Sequence, residues 1–142
     1  MTTLFKFFML LLVTNFTCST FAQSNTNVSF DGRKLIGKKW YNSETVDGVK
    51  ETRTMVFGED SVKEVVVRGN KTFILHEPYY LDDHFMLEFW PPYVGKKRGR
   101  FLYRGGEKDF YGVIINKLTD DEFIYSFDKK GPFIKYKAIK EK

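Results

Sequence analysis

Basic and aromatic side chains are concentrated in one segment of the chain, which makes it a candidate binding site. Four of the five residues from Lys96 to Arg100 are basic, and Trp90 and Tyr93 precede them. Arginine recognises planar anionic groups through paired hydrogen bonds, so the segment predicts a carboxylate, phosphate or anionic glycan as ligand. The other interpretation is a solvated turn whose charges keep a neighbouring strand soluble. The predicted ligand-binding residues are Trp90, Tyr93, Lys96, Lys97, Arg98, Arg100 and Arg104.

Residues suited to catalysis or metal binding are few and poorly grouped. His76 and His84 are the only histidines in the chain, and zinc sites need three or four protein ligands in tetrahedral geometry. Glu77 and Glu88 would face each other, as paired carboxylates do in glycosidases, if Asp82–Asp83 formed a two-residue turn. A slip of one residue in register removes that pairing. We therefore predict that the protein is not an enzyme and holds no metal or cofactor.

The first 22 residues have the pattern of a secretory signal peptide. Lys6 is their only charged residue, and the seven apolar residues after it are far fewer than the ~20 that span a bilayer. Small residues at Thr20 and Ala22 predict cleavage after Ala22. The residues before Cys18 fit a lipoprotein acylation site poorly. We therefore expect a secreted or periplasmic protein without a stable membrane anchor.

Cleavage would leave 120 residues without cysteine, the size of one domain. Without disulfides, a chain of this size depends on its apolar core, to which aromatic residues contribute strongly. Removing Lys6 from the 23 basic residues leaves 22, against 18 acidic ones. This mild excess is compatible with anionic partners without requiring a nucleic acid. We expect a monomer that does not bind nucleic acid.

From Trp40 onward, short runs rich in Val, Ile, Thr, Tyr and Phe alternate with turn residues about every ten positions, as in all-β sandwiches and barrels. Asp47–Gly48 is a strong hairpin signal, and nearly every connection is too short for a crossover helix, so the strands should be antiparallel neighbours. Several strands are apolar on both faces, which favours closure into a barrel. We predict an all-β fold, a small antiparallel up-and-down β-barrel of eight or nine strands, with a short helical turn within residues 32–36. The predicted strands are Lys39–Thr45, Val49–Phe57, Ser61–Val67, Thr72–His76, His84–Trp90, Arg98–Arg104, Asp109–Asn116, Glu122–Asp128 and Phe133–Ile139.

Three segments resemble lipocalins and their bacterial lipocalin-like relatives in the calycin superfamily. Leu35–Trp40 resembles the Gly-x-Trp opening of these proteins, and Tyr80–Leu87 is similar to their mid-barrel hairpin. Tyr111–Tyr125 is similar to their recurrent strand, Leu-Thr-Asp turn and strand. The resemblance implies a lipocalin-like barrel over residues 34–142, after the signal peptide at 1–22 and a linker at 23–33. It also implies that Gly37 and Trp40 form the structural base of the barrel.

Two functions from different classes are compatible with this barrel. The first is an exported binding protein for a small apolar or amphipathic ligand, anionic ligands included, with the basic segment at the mouth of the barrel. The second is a barrel filled by its own side chains, acting as a protein-interaction, inhibitor-type or envelope-structural module without a small-molecule ligand. An eight-stranded barrel has room for side chains or for one small ligand. The alternation of residues does not say which face points inward, so the sequence leaves both functions open.

Overall fold

The computed structural model describes residues 28–140, so the predicted signal peptide, its cleavage site, Cys18 and residues 23–27 of the predicted linker lie outside the described residues. Eight antiparallel strands form a closed barrel in which each strand pairs with its neighbour along the chain and the last also pairs with the first. This confirms the predicted all-β fold and small antiparallel barrel. The strands are β1 (Phe30–Asp31), β2 (Lys39–Val46), β3 (Val49–Phe57), β4 (Ser61–Arg68), β5 (Lys71–Asp82), β6 (Arg98–Gly99), β7 (Phe101–Gly105), β8 (Phe110–Leu118), β9 (Glu122–Ser126) and β10 (Ile134–Ile139).

The short strands β1 and β6 pair with each other, and the other eight form the barrel. Helical structure within residues 28–140 is limited to two 3₁₀ turns, Gly32–Leu35 and Pro91–Tyr93. The first of these lies where the sequence predicts a short helical turn. No helix in this part of the chain is long and apolar enough to cross a bilayer.

The predicted strand at His84–Trp90 is wrong. Residues 83–97, which we call the strap, run irregularly between β5 and β6. The side chain of Asp82 accepts hydrogen bonds from the backbone N–H and the ring Nδ1 of His84, both at 2.8 Å. This local turn draws the chain away from the strand ladder. The predicted strand at Thr72–His76 instead continues to Asp82, pairing first with β4 and then with β7.

Aromatic side chains fill one end of the barrel, which we call the closed end. Trp40, Phe57 and Phe123 are fully buried and meet edge to face, with ring centroids 5.9 Å apart for Trp40 and Phe123. Such contacts add to the free energy gained by removing large rings from water. Leu35 in the first 3₁₀ turn is also fully buried, and its carbonyl accepts the indole N–H of Trp40 at 2.9 Å. Gly37, at a φ of 75°, lets the chain leave this turn and enter β2.

The packed structure begins before the predicted domain start at residue 34. Strand β1 pairs with β6, and the N–H of Gly32 donates to the carbonyl of Lys97 at 2.6 Å. A Cβ atom at Gly99 would overlap the backbone of Asp82, so this close approach of β6 to the barrel requires glycine. The last residues of the predicted linker are therefore part of the fold and connect the closed end to the strap.

We expect Trp40→Ala to lower the free energy of unfolding by about 3–5 kcal/mol, because truncating a buried Trp removes apolar contacts and leaves a cavity. That is a large part of the ~5–15 kcal/mol typical of a domain. The measurement is urea unfolding followed by circular dichroism. Trp90→Ala is the matched control, since Trp90 is 45% exposed, and its midpoint should change little. Equal midpoints for the two variants would contradict the closed-end packing.

Candidate functional site

The end of the barrel opposite Trp40 holds a cavity of about 480 Å³ that opens to solvent, here called the barrel cavity. Along β3 the inward residues run from Phe57 at the closed end through Met55 to Arg53, because alternate side chains of a strand share one face. Polar and apolar side chains alternate in the lining, since Arg53 lies level with Val66 and Phe73, and Glu64 lies level with Leu75. The apolar lining residues are Val66, Phe73, Leu75 and Phe127, and the polar ones are Arg53, Glu64, Tyr111 and Tyr125.

A buried arginine organises the polar lining. Arg104 on β7 is 3% exposed, and its Nη1 lies 2.8 Å from Glu64 Oε2 while its Nη2 lies 3.1 Å from Glu77 Oε2. Burial opposes the charge on the guanidinium, but the neighbouring Tyr111, Glu64 and Glu77 outweigh it and raise the pKa of Arg104. Arg104 therefore stays charged inside the barrel, paired with carboxylates from two strands.

A second arginine extends the same network towards the mouth. Arg53 Nη2 lies 2.7 Å from Glu51 Oε1, and its Nη1 lies 3.9 Å from Glu64 Oε1. We call these two arginines and the three glutamates at positions 51, 64 and 77 the floor network. Arg68 Nε also lies 4.0 Å from Glu51 Oε2, so three guanidinium groups face the three carboxylates. Each arginine is therefore already paired with a carboxylate.

Tyrosine side chains complete the polar part of the barrel interior. The ring of Tyr111 lies 5.5 Å from the guanidinium carbon of Arg104, and the rings of Tyr125 and Tyr136 stack at 5.8 Å. Burial raises the pKa of all three phenols above the ordinary value, so they are neutral hydroxyls at physiological pH. The interior thus combines fixed charges, neutral hydroxyl groups and aromatic faces.

The predicted ligand-binding residues are divided between two places. Arg104 lies in the floor network, whereas Trp90, Tyr93, Lys96 and Lys97 belong to the strap on the outer wall. Arg98 and Arg100 lie in and beside β6, whose partner β1 leads into the 3₁₀ turn at the closed end. The expected position of the basic segment at the mouth of the barrel is therefore wrong. The cause is the strap, which takes these residues away from the strand ladder.

The histidines and glutamates considered for chemistry are also separated. His76 Nε2 lies 3.2 Å from Ser61 Oγ, whereas His84 contacts Asp82. Glu77 joins the floor network, but Glu88 lies in the strap, so the register that would pair them does not form. Between residues 28 and 140, no group of three or more His, Cys, Asp or Glu side chains is arranged to hold a metal ion.

Sequence reasoning missed the cavity residues Arg53, Glu64, Tyr111 and Tyr125, although a signal for two of them was present. In β3, Arg53 is in phase with the buried Met55 and Phe57, and in β4, Glu64 is in phase with the buried Val62. A charge at an inward position of an otherwise apolar face indicates a paired or functional group, since an isolated buried charge is unfavourable. The charge partners come from other strands, so the pairing itself could not be read from one segment.

Fold and site together define a small closed β-barrel that is packed with aromatic rings at one end and open at the other to a cavity lined by both apolar and charged side chains. No protein-family model, curated protein sequence or solved structure matches the chain. A barrel of this kind can serve many functions, so the function is argued from the chemistry of its cavity.

The buried carboxylate of Asp82 fixes both ends of the strap. It accepts hydrogen bonds from His84 and forms an ion pair with the ammonium group of Lys96. Burial alone would raise the pKa of Asp82, but the hydrogen bonds from Lys96 and His84 outweigh it, and the pKa lies below its ordinary value. The ionised form is therefore preferred in the folded protein.

We expect Asp82→Asn to destabilise the protein at neutral pH, with a difference from wild type that shrinks in acid. A lowered folded pKa adds stability above the unfolded pKa of about 3.9, and this is lost as pH falls through the folded pKa. Thermal unfolding between neutral pH and pH values below the ordinary range of Asp tests this. Asp109→Asn, at an exposed turn, is the control. A constant difference from wild type across the whole range would contradict the role of Asp82.

We expect Arg104→Met to lower the free energy of unfolding by roughly 3–5 kcal/mol, because removing one partner of a buried ion pair leaves an uncompensated charge. Adding Glu64→Gln and Glu77→Gln should recover part of that loss. Chemical denaturation of the single and triple variants is the measurement. Arg33→Met breaks an ion pair with Asp31 at the surface and should change the midpoint little. If Arg104→Met were as stable as this control, the floor network would not be buried as described.

Proposed function

We propose that the protein is an exported binding protein that holds one small amphipathic ligand in the barrel cavity. The observation that supports this most is the uneven filling of the interior, with aromatic rings at the closed end and a solvent-open cavity of about 480 Å³ beyond them. This volume falls within the roughly 300–1,000 Å³ of small-molecule sites. The cavity also has the usual composition of such sites, an apolar wall with a few polar groups.

The arrangement of the lining supports one orientation of the ligand. Phe73, Leu75 and Phe127 near the mouth are each about half exposed, so an apolar body covering them would remove hydrophobic surface from water. Deeper in, the hydroxyl of Tyr111 offers a hydrogen bond to a polar end, since Tyr111 is level with Arg104 and Tyr79, while the guanidinium of Arg53 lies at the level of Phe73. The ligand would therefore enter polar end first and leave its apolar part against the rim.

The ion pairs of the floor network affect which charge the polar end of the ligand can carry. Arg53 and Arg104 already face carboxylates, and Arg68 lies 4.0 Å from the carboxylate of Glu51, so each of these guanidinium groups has a carboxylate partner before any ligand binds. An anionic group would have to compete with these carboxylates for the guanidinium groups in a partly desolvated site, where like charges repel strongly. A neutral or cationic group would not, and the faces of Tyr111 and Tyr125 are suited to a cation. We therefore propose a neutral or cationic polar end rather than the anionic one considered from the sequence.

The same proposal includes the lipocalin-like assignment and secretion or export to the periplasm. The eight-stranded meander, closed at one end by a 3₁₀ turn and the buried Trp40, supports the resemblance found in the sequence. The pattern of residues 1–22 supports export. The filled closed end keeps a second candidate open, a ligand-free interaction module.

The test is calorimetric titration of three ligands with the same chain and different polar ends: decanol, decanoate and decylammonium. We expect decanol and decylammonium to bind with one-to-one stoichiometry and decanoate to bind more weakly. Phe73→Ser combined with Phe127→Ser should weaken decanol binding at least about tenfold, because each Phe contributes on the order of 1.5–3 kcal/mol when fully buried.

Ile74→Ser is the matched control. Ile74 follows Phe73 on β5 but is 63% exposed on the outer face of the barrel, so its replacement should leave binding unchanged. If none of the three ligands binds, the ligand-free module becomes the better interpretation. If decanoate binds most tightly, the charge argument fails while the cavity remains a ligand site.

A further inference from the structure

The strap exposes large apolar side chains on the outside of the barrel. Leu87 is 88% exposed, Phe85 73% and Trp90 45%, all within six residues, and Tyr93 is more than a third exposed. Single exposed apolar residues are common, but a group of them indicates a surface that contacts something other than water.

The backbone beneath these side chains is held firmly, so their exposure does not reflect a loosely packed loop. Tyr103 Oη donates to the carbonyl of His84 at 2.7 Å and accepts the N–H of Met86 at 2.9 Å. Tyr80 Oη accepts the N–H of Trp90 at 3.2 Å. With Phe89, the two tyrosines form a buried cluster between the strap and the barrel wall. The strap thus has a packed inner side and an apolar outer side.

Basic groups lie beside the exposed rings. The ammonium group of Lys96 is 4.7 Å from the ring centroid of Tyr93, which lies 6.5 Å from that of Trp90. At the other end of the strap, the guanidinium carbon of Arg100 is 5.0 Å from the ring of Phe101, which contacts Phe85 at 6.2 Å.

Two arginine side chains lie beside this surface without an ion pair. Among the basic residues from 82 to 100, Lys96 is paired with the buried Asp82, and Lys97 lies 3.9 Å from Glu59. Arg98 and Arg100 form no ion pair with another residue between 28 and 140, and both are available to anionic groups outside the protein. The outer side of the strap therefore combines exposed apolar groups with unpaired guanidinium groups.

We propose that the strap docks on the surface of an anionic lipid bilayer. Trp and Tyr prefer the interface between headgroups and acyl chains, and Phe and Leu enter the upper acyl region. Lys and Arg beside them are attracted to anionic headgroups. A bilayer accounts for both the apolar and the basic groups, and for their position on the convex outer wall of the barrel instead of in a groove. The surface is separate from the barrel cavity.

Tryptophan fluorescence can test this docking because the two tryptophans differ in environment. Trp40 is fully buried at the closed end, so a change on adding vesicles reports on Trp90. The probes are vesicles of phosphatidylcholine alone and of phosphatidylcholine mixed with phosphatidylglycerol. With the anionic vesicles we expect co-flotation, a blue shift of emission and quenching by lipids brominated on the acyl chain. Added salt should weaken binding, since it screens the attraction of the basic groups.

Two pairs of substitutions separate the apolar and charged contributions. Phe85→Ser with Leu87→Ser should reduce affinity for anionic vesicles at least tenfold, whereas Ile74→Ser with Val67→Ser, exposed elsewhere on the outer wall, should not. Arg98→Gln with Arg100→Gln should weaken binding to anionic vesicles more than Lys50→Gln with Lys63→Gln, a control pair on β3 and β4. Circular dichroism establishes that each variant is folded.

The proposal is overturned if Trp90 emission is unchanged by anionic vesicles, or if Phe85→Ser with Leu87→Ser binds them like wild type. Equal binding to neutral and anionic vesicles would contradict the part played by the basic groups. The Phe73→Ser and Phe127→Ser variant, impaired in the barrel cavity, should still bind vesicles. Its loss of vesicle binding would mean that lipid enters the cavity and that the strap is not the docking surface.

Discussion

Closure of eight strands into a barrel places every second side chain in an interior of limited width, and this constraint governs the rest of the molecule. An eight-stranded barrel has room for one layer of facing side chains or for one small ligand. At the closed end, Trp40, Phe57 and Phe123 occupy that room and exclude water. This packing stabilises the barrel without disulfides, since the only cysteine in the sequence is Cys18. Because one end is filled so completely, the other can remain open without loss of the core.

The open end of the barrel contains buried ion pairs. Placing Arg104 and Glu64 in the interior is unfavourable for each charge alone, and their ion pair compensates for this only when the partners are held in place. The pairing register of β3, β4, β5 and β7 fixes the positions of these charged side chains. The ring of Tyr111 lies beside the guanidinium of Arg104. A wholly apolar interior would serve stability equally well. The presence of these charges supports the proposal that they select the polar end of a ligand.

The outer wall has a second, independent organisation. Asp82 ends β5 and fixes the strap through His84 and Lys96, while Tyr80 and Tyr103 pack beneath it. The same contacts that hold the strap against the barrel leave Phe85 and Leu87 facing outward. The protein thus presents two different surfaces, a cavity lined by apolar and charged side chains inside the barrel and an exposed apolar strap beside Arg98 and Arg100 outside it.

The sequence by itself determined the features that depend on neighbouring residues. Alternation and turn residues predicted β3 at its observed bounds, Val49–Phe57. They also predicted the hairpin at Asp47–Gly48, where both residues adopt positive φ, as the tight turn requires. The short helical turn before Trp40 and the antiparallel meander were predicted in the same way. The alternation of apolar and polar residues and the length of each connection can both be read from a single segment of sequence.

Only the tertiary structure decided which faces point inward and which distant residues meet. Arg53, Glu64 and Arg104 come from three strands and converge only when register and closure are fixed. The segment His84–Trp90 has the composition of a strand, yet its contacts with Tyr80, Asp82 and Tyr103 make it an irregular strap. Both outcomes depend on contacts between residues far apart in the chain. A local sequence pattern does not show which distant residue will pair with a given backbone group or charged side chain.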